Sequence, residues 1–204
     1  MKFRNVSGVK NYNVEESLKR KLTINEITSW LELWGYKYIE VPSIINSDLV
    51  KKAVEGTENR IFELSNSSCL IPEVTKYIVE LGAQSIGSNK IYYVAKCFRN
   101  ETTTDSERLK EFTQIGVEIL KENNLDARKE VRYDAIKLFT KTFGTMTGWK
   151  LFDGCERGLN LYNDASKTFE IRSEEANKQI LGGGAYDGGA GWALGLERLE
   201  KLLK

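Results

Sequence analysis

Two stretches separated by a short polar gap constrain this chain more than anything else in it. Phe98-Arg99-Asn100-Glu101 closes an apolar run that begins at Ile91, and Arg108-Leu109-Lys110-Glu111-Phe112-Thr113-Gln114 opens one that ends at Leu120. β-Branched and aromatic residues on both sides, with Thr102 to Ser106 between them, predict a strand, a tip and a returning strand. Paired strands joined this way imply an antiparallel sheet. The strands elsewhere outnumber what a βαβ repeat would supply. The expected class is α+β, a mostly antiparallel sheet flanked by helices, with residues 1–204 as a single domain.

The remaining elements follow from local signals. Asn13 with Glu16 three residues on is a capping-box pattern, and Ile24, Ile27, Leu31 and Trp34 recur at helical spacing until Gly35 stops the helix. Tyr36 to Val41 reads as a strand closed by Pro42, and Leu49 to Val54 as a short helix ended by Gly56. Ile61 to Leu64 and Cys69 to Ile71 read as strands around an Asn66-Ser67-Ser68 turn. Pro72 suits the first turn of a helix running through Tyr77, Ile78 and Leu81. Leu125 to Phe143 is an amphipathic helix with Ala135, Leu138 and Phe139 inward. Thr147 to Phe152, Thr168 to Ile171 and Lys178 to Leu181 read as strands, and Trp192 to Leu203 as a closing helix.

Composition excludes several chemistries. The 204 residues contain no histidine, so His-based general bases, Ser-His-Asp triads and His-ligated metals are out. Three widely spaced cysteines, Cys69, Cys97 and Cys155, form no CxxC pair and suggest neither a disulfide framework nor zinc; no metal ligand is assigned to any side chain. A net charge of +1 gives no global attraction to nucleic acid. The N-terminus lacks the apolar core of a signal peptide, and no run reaches the ~20 apolar residues that span a bilayer, so a cytoplasmic protein without membrane contact is expected.

What remains is chemistry run on arginine, glutamate and tyrosine. Arg99 and Arg157 each present a permanently charged planar fork to phosphate oxygens. Converging on one phosphate, they would stabilise the charge added during an in-line displacement. A carboxylate nucleophile is already ionised at neutral pH and needs no base. If Arg108 reaches an outer phosphate, Phe112 can lie under a purine ring, with Arg198 over the other face. Glu73 and Thr75 open a helix, where Glu73 can cap it or turn away to take an ammonium group. Singly, each has a plain structural reading: surface ion pairs for the arginines, a core position for Phe112, and a turn or close-packed strand for Gly182-Gly183-Gly184.

Together and in this order the pieces resemble the class II aminoacyl-tRNA synthetase catalytic core, within it the histidyl-tRNA synthetase group that includes the histidine-sensing regulatory subunit of ATP phosphoribosyltransferase. Glu40-Val41-Pro42 stands where the first motif places its dimer-interface proline. Phe98 to Glu101 with Arg108, Phe112 and Glu118 fits the second motif, and Gly191 to Arg198 the third. Arg157-Gly158-Leu159-Asn160-Leu161-Tyr162 is similar to the RGLDYY block, Phe169-Glu170 to its trailing FE, and Gly183-Gly184-Ala185-Tyr186-Asp187 to GGRYD.

The resemblance implies ATP with Mg²⁺ as cofactors. It implies Arg99 and Arg157 on the α-phosphate and substrate carboxylate, Glu101 at the adenine edge, Phe112 and Arg198 stacked on the base, and Arg108 on the outer phosphates. Glu73, Thr75 and Gln114 would take the backbone groups of histidine or a similar amino acid, and Glu118, Tyr162 and Tyr186 would line its imidazole pocket. A neutral imidazole carries one donor and one acceptor nitrogen, which a carboxylate and a tyrosine hydroxyl complement. A homodimer is implied, with apolar surface near Trp30, Trp34 and Tyr36.

The chain departs from the family at Ile71, Ala185, Asn160 and Leu161. It is also short between Glu118 and Arg157 and ends at the closing helix, so neither an insertion domain nor an anticodon-binding domain is expected. Two readings follow: a minimal ligase core passing the adenylate to tRNA, a carrier or another acceptor, and a histidine sensor bound to a partner enzyme.

Overall fold

The computed structural model describes residues 6–51, 60–102, 104, 108–121, 124–144, 148–156, 161–162, 164–175 and 177–203. Helix α1 (Val14–Leu33) starts with the capping box its sequence predicts: Asn13 Oδ1 accepts from the Glu16 amide at 2.9 Å, and Glu16 Oε2 accepts from the Asn13 amide at 2.9 Å. Gly35, at φ 86°, turns the chain out of the helix in a conformation that other residues adopt only with strain. Then come β1 (Lys37–Tyr38), β2 (Ile44–Asn46), α2 (Ser47–Lys51), β3 (Ser68–Leu70) and α3 (Thr75–Ile86). The hairpin is β4 (Lys90–Phe98) and β5 (Glu111–Leu120), paired antiparallel from Lys90 with Ile119 to Phe98 with Glu111. Helix α4 (Asn124–Phe143) is followed by β6 (Trp149–Asp153), β7 (Thr168–Ser173), β8 (Gln179–Tyr186), β9 (Gly189–Gly195) and α5 (Leu196–Leu202).

Seven strands form one sheet in the order β1-β4-β5-β9-β8-β7-β6. Among the described residues, only β1 and β4 of this sheet run parallel, and its other pairs are antiparallel. The α+β architecture therefore stands as expected.

Several local expectations change. Pro72 lies ahead of α3, which begins at Thr75. The Ile61 to Leu64 segment makes a single bridge, Glu63 to Cys69, rather than a strand. The Tyr36 to Val41 strand shortens to two paired residues before Pro42. The short helix ends at Lys51 within the described residues, and Gly56 lies outside them. The closing helix begins at Leu196, because Trp192 belongs to β9, where Ala190, Trp192 and Leu194 alternate with Gly189, Gly191, Ala193 and Gly195. That period of two places Trp192 and Leu194 on one face and only glycine or alanine on the other, and glycine disfavours helix by about 1 kcal/mol per residue.

The two faces of the sheet have different fates. On one, Ile115, Val117 and Ile119 of β5 and Trp192 and Leu194 of β9 pack against α1 and α4 in the main core. Each such side chain is worth roughly 1.5–3 kcal/mol when fully buried. On the other face, α3, β2 and β3 cover only the β4 end, where Ile91, Tyr93, Ala95 and Cys97 meet Val74 and Ile78. The rest of that face, over β5, β9, β8 and β7, is the floor of a cavity. No helix among the described residues is long and apolar enough to cross a membrane.

Candidate active site

The cavity has a volume of about 410 Å³, within the ordinary range for small-molecule sites. Its floor is low because Gly182, Ala193 and Gly195 are nearly bare on this face. The Gly182-Gly183-Gly184 run is thus the interior of a strand and not a turn. A Cβ added at Gly183 would overlap the Gly191 carbonyl, and one at Gly191 would overlap the Glu118 carboxylate. Only glycine allows these strands and that carboxylate to share the space.

Of the residues expected to hold a nucleotide, Arg99, Glu101, Arg108, Phe112 and Arg198 line this one cavity, and Arg157 lies outside the described residues. Glu73, Thr75, Gln114 and Tyr162 line it too. Arg99 leaves the end of β4 with its amide bonded to the Lys110 carbonyl at 2.8 Å, which holds it at the mouth of the hairpin. Its Nε donates to the Pro72 carbonyl at 3.0 Å, and its guanidinium lies over the Phe112 ring, 4.9 Å from the centroid. The guanidinium resting on Phe112 here is therefore that of Arg99. Arg198 donates Nη1 to the Gln179 carbonyl at 2.8 Å. Burial, and then the repulsion of Arg198, push the Arg99 pKa down despite the nearby acids. Converging cations of this kind are relieved by a bound anion.

The carboxylates divide by environment. Glu101 is buried, with Arg108 Nε 3.9 Å from its Oε2. Glu73 does cap α3: the Lys76 amide donates to its Oε1 at 3.1 Å. Burial raises its carboxyl to about 6, against the opposing pull of the Lys76 amide and Arg99. Gln114 accepts from the Cys97 thiol at 3.3 Å.

Glu118 and Tyr186 sit behind the cavity wall instead of on it. Glu118 is fully buried, and its Oε2 accepts from the Tyr186 hydroxyl at 2.7 Å. Burial pushes its carboxyl up to about 8, while the Tyr186 and Thr75 hydroxyls draw it back. Tyr162 stands edge-on to Tyr186, the ring centroids 6.0 Å apart. Arg157, with Gly158, Leu159 and Asn160, lies outside the described residues. Among the described residues no cluster of three or more His, Cys, Asp or Glu side chains could hold a metal.

Sequence reasoning missed Arg60, Glu156, Glu170 and Glu197 on the lining. Glu197 is the most consequential. It accepts from Arg20 Nη2 at 2.6 Å and from the Thr113 amide at 3.0 Å, joining α1, β5 and α5 beside Arg198. Its place beside Arg198 was the available signal. Nothing in the sequence marks Arg20, a helix-surface arginine by pattern, as its partner.

Known proteins share part of this sequence and its fold. The chain is 29% identical over 127 residues to the histidine–tRNA ligase of Methanocaldococcus jannaschii, covering 58% of this chain and 30% of that protein. It is 25% identical over 143 residues to the ATP phosphoribosyltransferase regulatory subunit of Bacillus licheniformis, covering 66% of this chain and 36% of that protein. The chain thus spans about a third of the length of these curated relatives. Its fold is similar to that of S. aureus histidyl-tRNA synthetase, with a TM-score of 0.76 at 22% identity over 99% of this chain and 70% of that one. It is also similar to an ATP phosphoribosyltransferase regulatory subunit/histidyl-tRNA synthetase from Bacillus halodurans, with a TM-score of 0.81 at 15% identity over 99% and 83%. The sequence profile of histidyl-tRNA synthetase matches residues 8–150, a span holding the whole hairpin on which Arg99, Phe112 and Glu118 are mounted, and the chain belongs to that family.

Proposed function

We propose that this chain binds ATP and an amino acid, histidine by the family's example, and joins the amino acid's carboxylate to AMP. The carboxylate oxygen attacks the α-phosphorus, and the bond to the bridging oxygen of pyrophosphate breaks. Arg99 and Arg157 neutralise the charge that builds on the α-phosphate, and Arg108 steadies the departing phosphates. No general base is required, which suits a chain without histidine. The observation that carries this reading is the convergence of Arg99 and Arg108 at the hairpin with Arg198, remote from both in sequence, on one cavity that also holds Phe112 and Glu101. Mg²⁺ would enter on the nucleotide's phosphates, since it keeps its waters and rarely uses an all-protein cage.

The acceptor of the adenylate is tRNA, a carrier or a small molecule. A second reading, a histidine sensor acting on a partner enzyme, is favoured by the regulatory subunits among the relatives and by Ala185. The latter stands in the main core where the family motif has arginine. ATP–pyrophosphate exchange separates the two. The ligase reading requires exchange stimulated by histidine. Histidine binding with no exchange from any amino acid would transfer the chain to the sensor reading.

A homodimer belongs to the same proposal, but not through the surface first expected. Tyr36 is 1% exposed and donates to Asp134 Oδ2 at 2.8 Å, while Lys141 and Lys137 lie over the rings of Trp30 and Trp34. The exposed apolar side chains nearby are Leu33 (72%), Tyr38 (54%) and Ile44 (58%). Sedimentation at micromolar concentration should give twice the monomer mass, and Leu33→Glu with Tyr38→Glu should give the monomer. A wild-type monomer at that concentration contradicts the interface.

A further inference from the structure

The ladder between β5 and β9 ends at the pair Gln114 and Gly195, where β9 turns into α5. Thr113, the next residue of β5, has no β9 residue opposite it. Its amide donates instead to both carboxylate oxygens of Glu197, at 3.0 Å each. One side chain thus carries the ladder a residue further. Glu197 belongs to the first turn of α5 and precedes Arg198, while Thr113 stands between Phe112 and Gln114 on β5. Phe112, Gln114 and Arg198 all line the cavity, so this contact ties together the strand and the helix that supply them.

The carboxylate is in turn held by Arg20, from the second turn of α1. Arg20 Nη2 donates to Glu197 Oε1 at 2.6 Å and to the Thr113 hydroxyl. Its Nη1 donates to Glu200 Oε1 at 2.7 Å and to the Tyr12 hydroxyl at 3.0 Å. The Arg20 and Glu197 side chains are only 10% and 6% exposed. A rigid guanidinium that bonds four groups at once fixes where they stand relative to one another. Desolvation offsets most of the attraction within such a buried pair, so net stability is a weak reason for its presence. Thr113 shares its face of β5 with Ile115 and Val117, which puts Arg20 on the core side of the sheet, opposite the cavity.

We propose that Arg20 is a positioning residue for the nucleotide site: through Glu197 it sets the separation of Phe112 on β5 from Arg198 on α5, and with it the width of the slot that takes a purine ring. This rests on the reading of the cavity as an ATP site. It adds to that reading a residue that does not line the cavity and was not among those that suggested it.

A double-mutant cycle on ATP binding tests the assignment, with Arg20→Lys and Arg198→Ala made singly and together. ATP and histidine are titrated by calorimetry beside urea denaturation. Lysine keeps a positive charge near Glu197 but lacks the planar fork that reaches Thr113, Glu200 and Tyr12 together. The expected result for Arg20→Lys is ATP affinity lower by about tenfold and histidine affinity within about twofold of wild type. Added to Arg198→Ala, it should cause no further loss of ATP affinity, because one residue acts through the other. Should Arg20→Lys fail to fold, Arg20→Met with Glu197→Gln, which leaves no buried charge without a partner, repeats the cycle. Equal losses of ATP and histidine affinity, or additive losses of ATP affinity, overturn the proposal in favour of a general structural role. Unchanged ATP affinity with a lower urea midpoint overturns it as well and leaves the cluster as support for the fold, with the ATP reading intact. Wild type that binds no ATP overturns both this proposal and the nucleotide reading on which it rests.

Discussion

Replacing Glu118 with glutamine is expected to abolish most of a pH-dependent loss of stability that wild type shows between about pH 4.5 and pH 8. The unfolded glutamate ionises near 4.5, and burial holds the folded one at about 8. Between those values the native state binds more protons than the unfolded chain, so stability falls as pH rises, and the loss is complete once the folded group ionises. Glu73 acts in the same direction over the narrower window from 4.5 to about 6. Carboxylates held low by cations, such as Asp153 between Arg132 and Arg128, work the other way and only in acid below their unfolded value. Glutamine keeps the shape of Glu118 and an acceptor for Tyr186 while remaining neutral. Urea midpoints should therefore match near pH 5 and separate by pH 9, the variant being more stable by on the order of a few kcal/mol. A wild-type midpoint that stays flat from pH 5 to pH 9 removes the basis of this prediction. The same substitution should weaken histidine binding, which would make Glu118 a group kept for ligand recognition at the expense of the fold.

Arg99→Ala is expected to lower pyrophosphate exchange by about a hundredfold to a thousandfold, the usual cost of losing one preorganised donor to transition-state charge. The same side chain donates to the Pro72 carbonyl and covers Phe112, so stability should also fall, by about 1 kcal/mol. The two effects are separable, because denaturant midpoints report the second and exchange at low temperature, where both proteins are folded, reports the first. Arg99→Lys should recover little activity. An ammonium cannot stack on the ring, reach the carbonyl and present a flat fork to phosphate at once. Exchange within twofold of wild type in the alanine variant would take Arg99 out of the reaction.

The sequence was most readable where signals were local. The hairpin was found with its ends within a residue or two, because the runs Ile91 to Phe98 and Phe112 to Leu120 are long, rich in β-branched and aromatic residues, and bounded by charged residues. The box at Asn13 and Glu16 needs only four residues to be recognised. The closing segment misled because Trp192, Leu196 and Leu199 recur at helical spacing and all do enter one core. The first arrives there from a strand and the other two from the helix after it. Glycines flanking Trp192 were the contrary signal. They are compatible with a central strand whose outer face must be bare, and costly within a helix.

Once β5 is recognised as a strand, the pleat puts Phe112, Gln114 and Glu118 on one face, every second residue in line, while the arginines and acids around them were named from the motifs and the family resemblance. Which of those groups are charged, engaged or free was decided only on folding. Glu118 acquires its raised pKa from complete burial, and its Tyr186 partner lies 68 residues away. The Tyr93 ring lies across Gly116 of the neighbouring strand, where a Cβ would overlap it. Desolvation and hydrogen-bond geometry depend on distances in space, between strands that the order of the chain does not make neighbours.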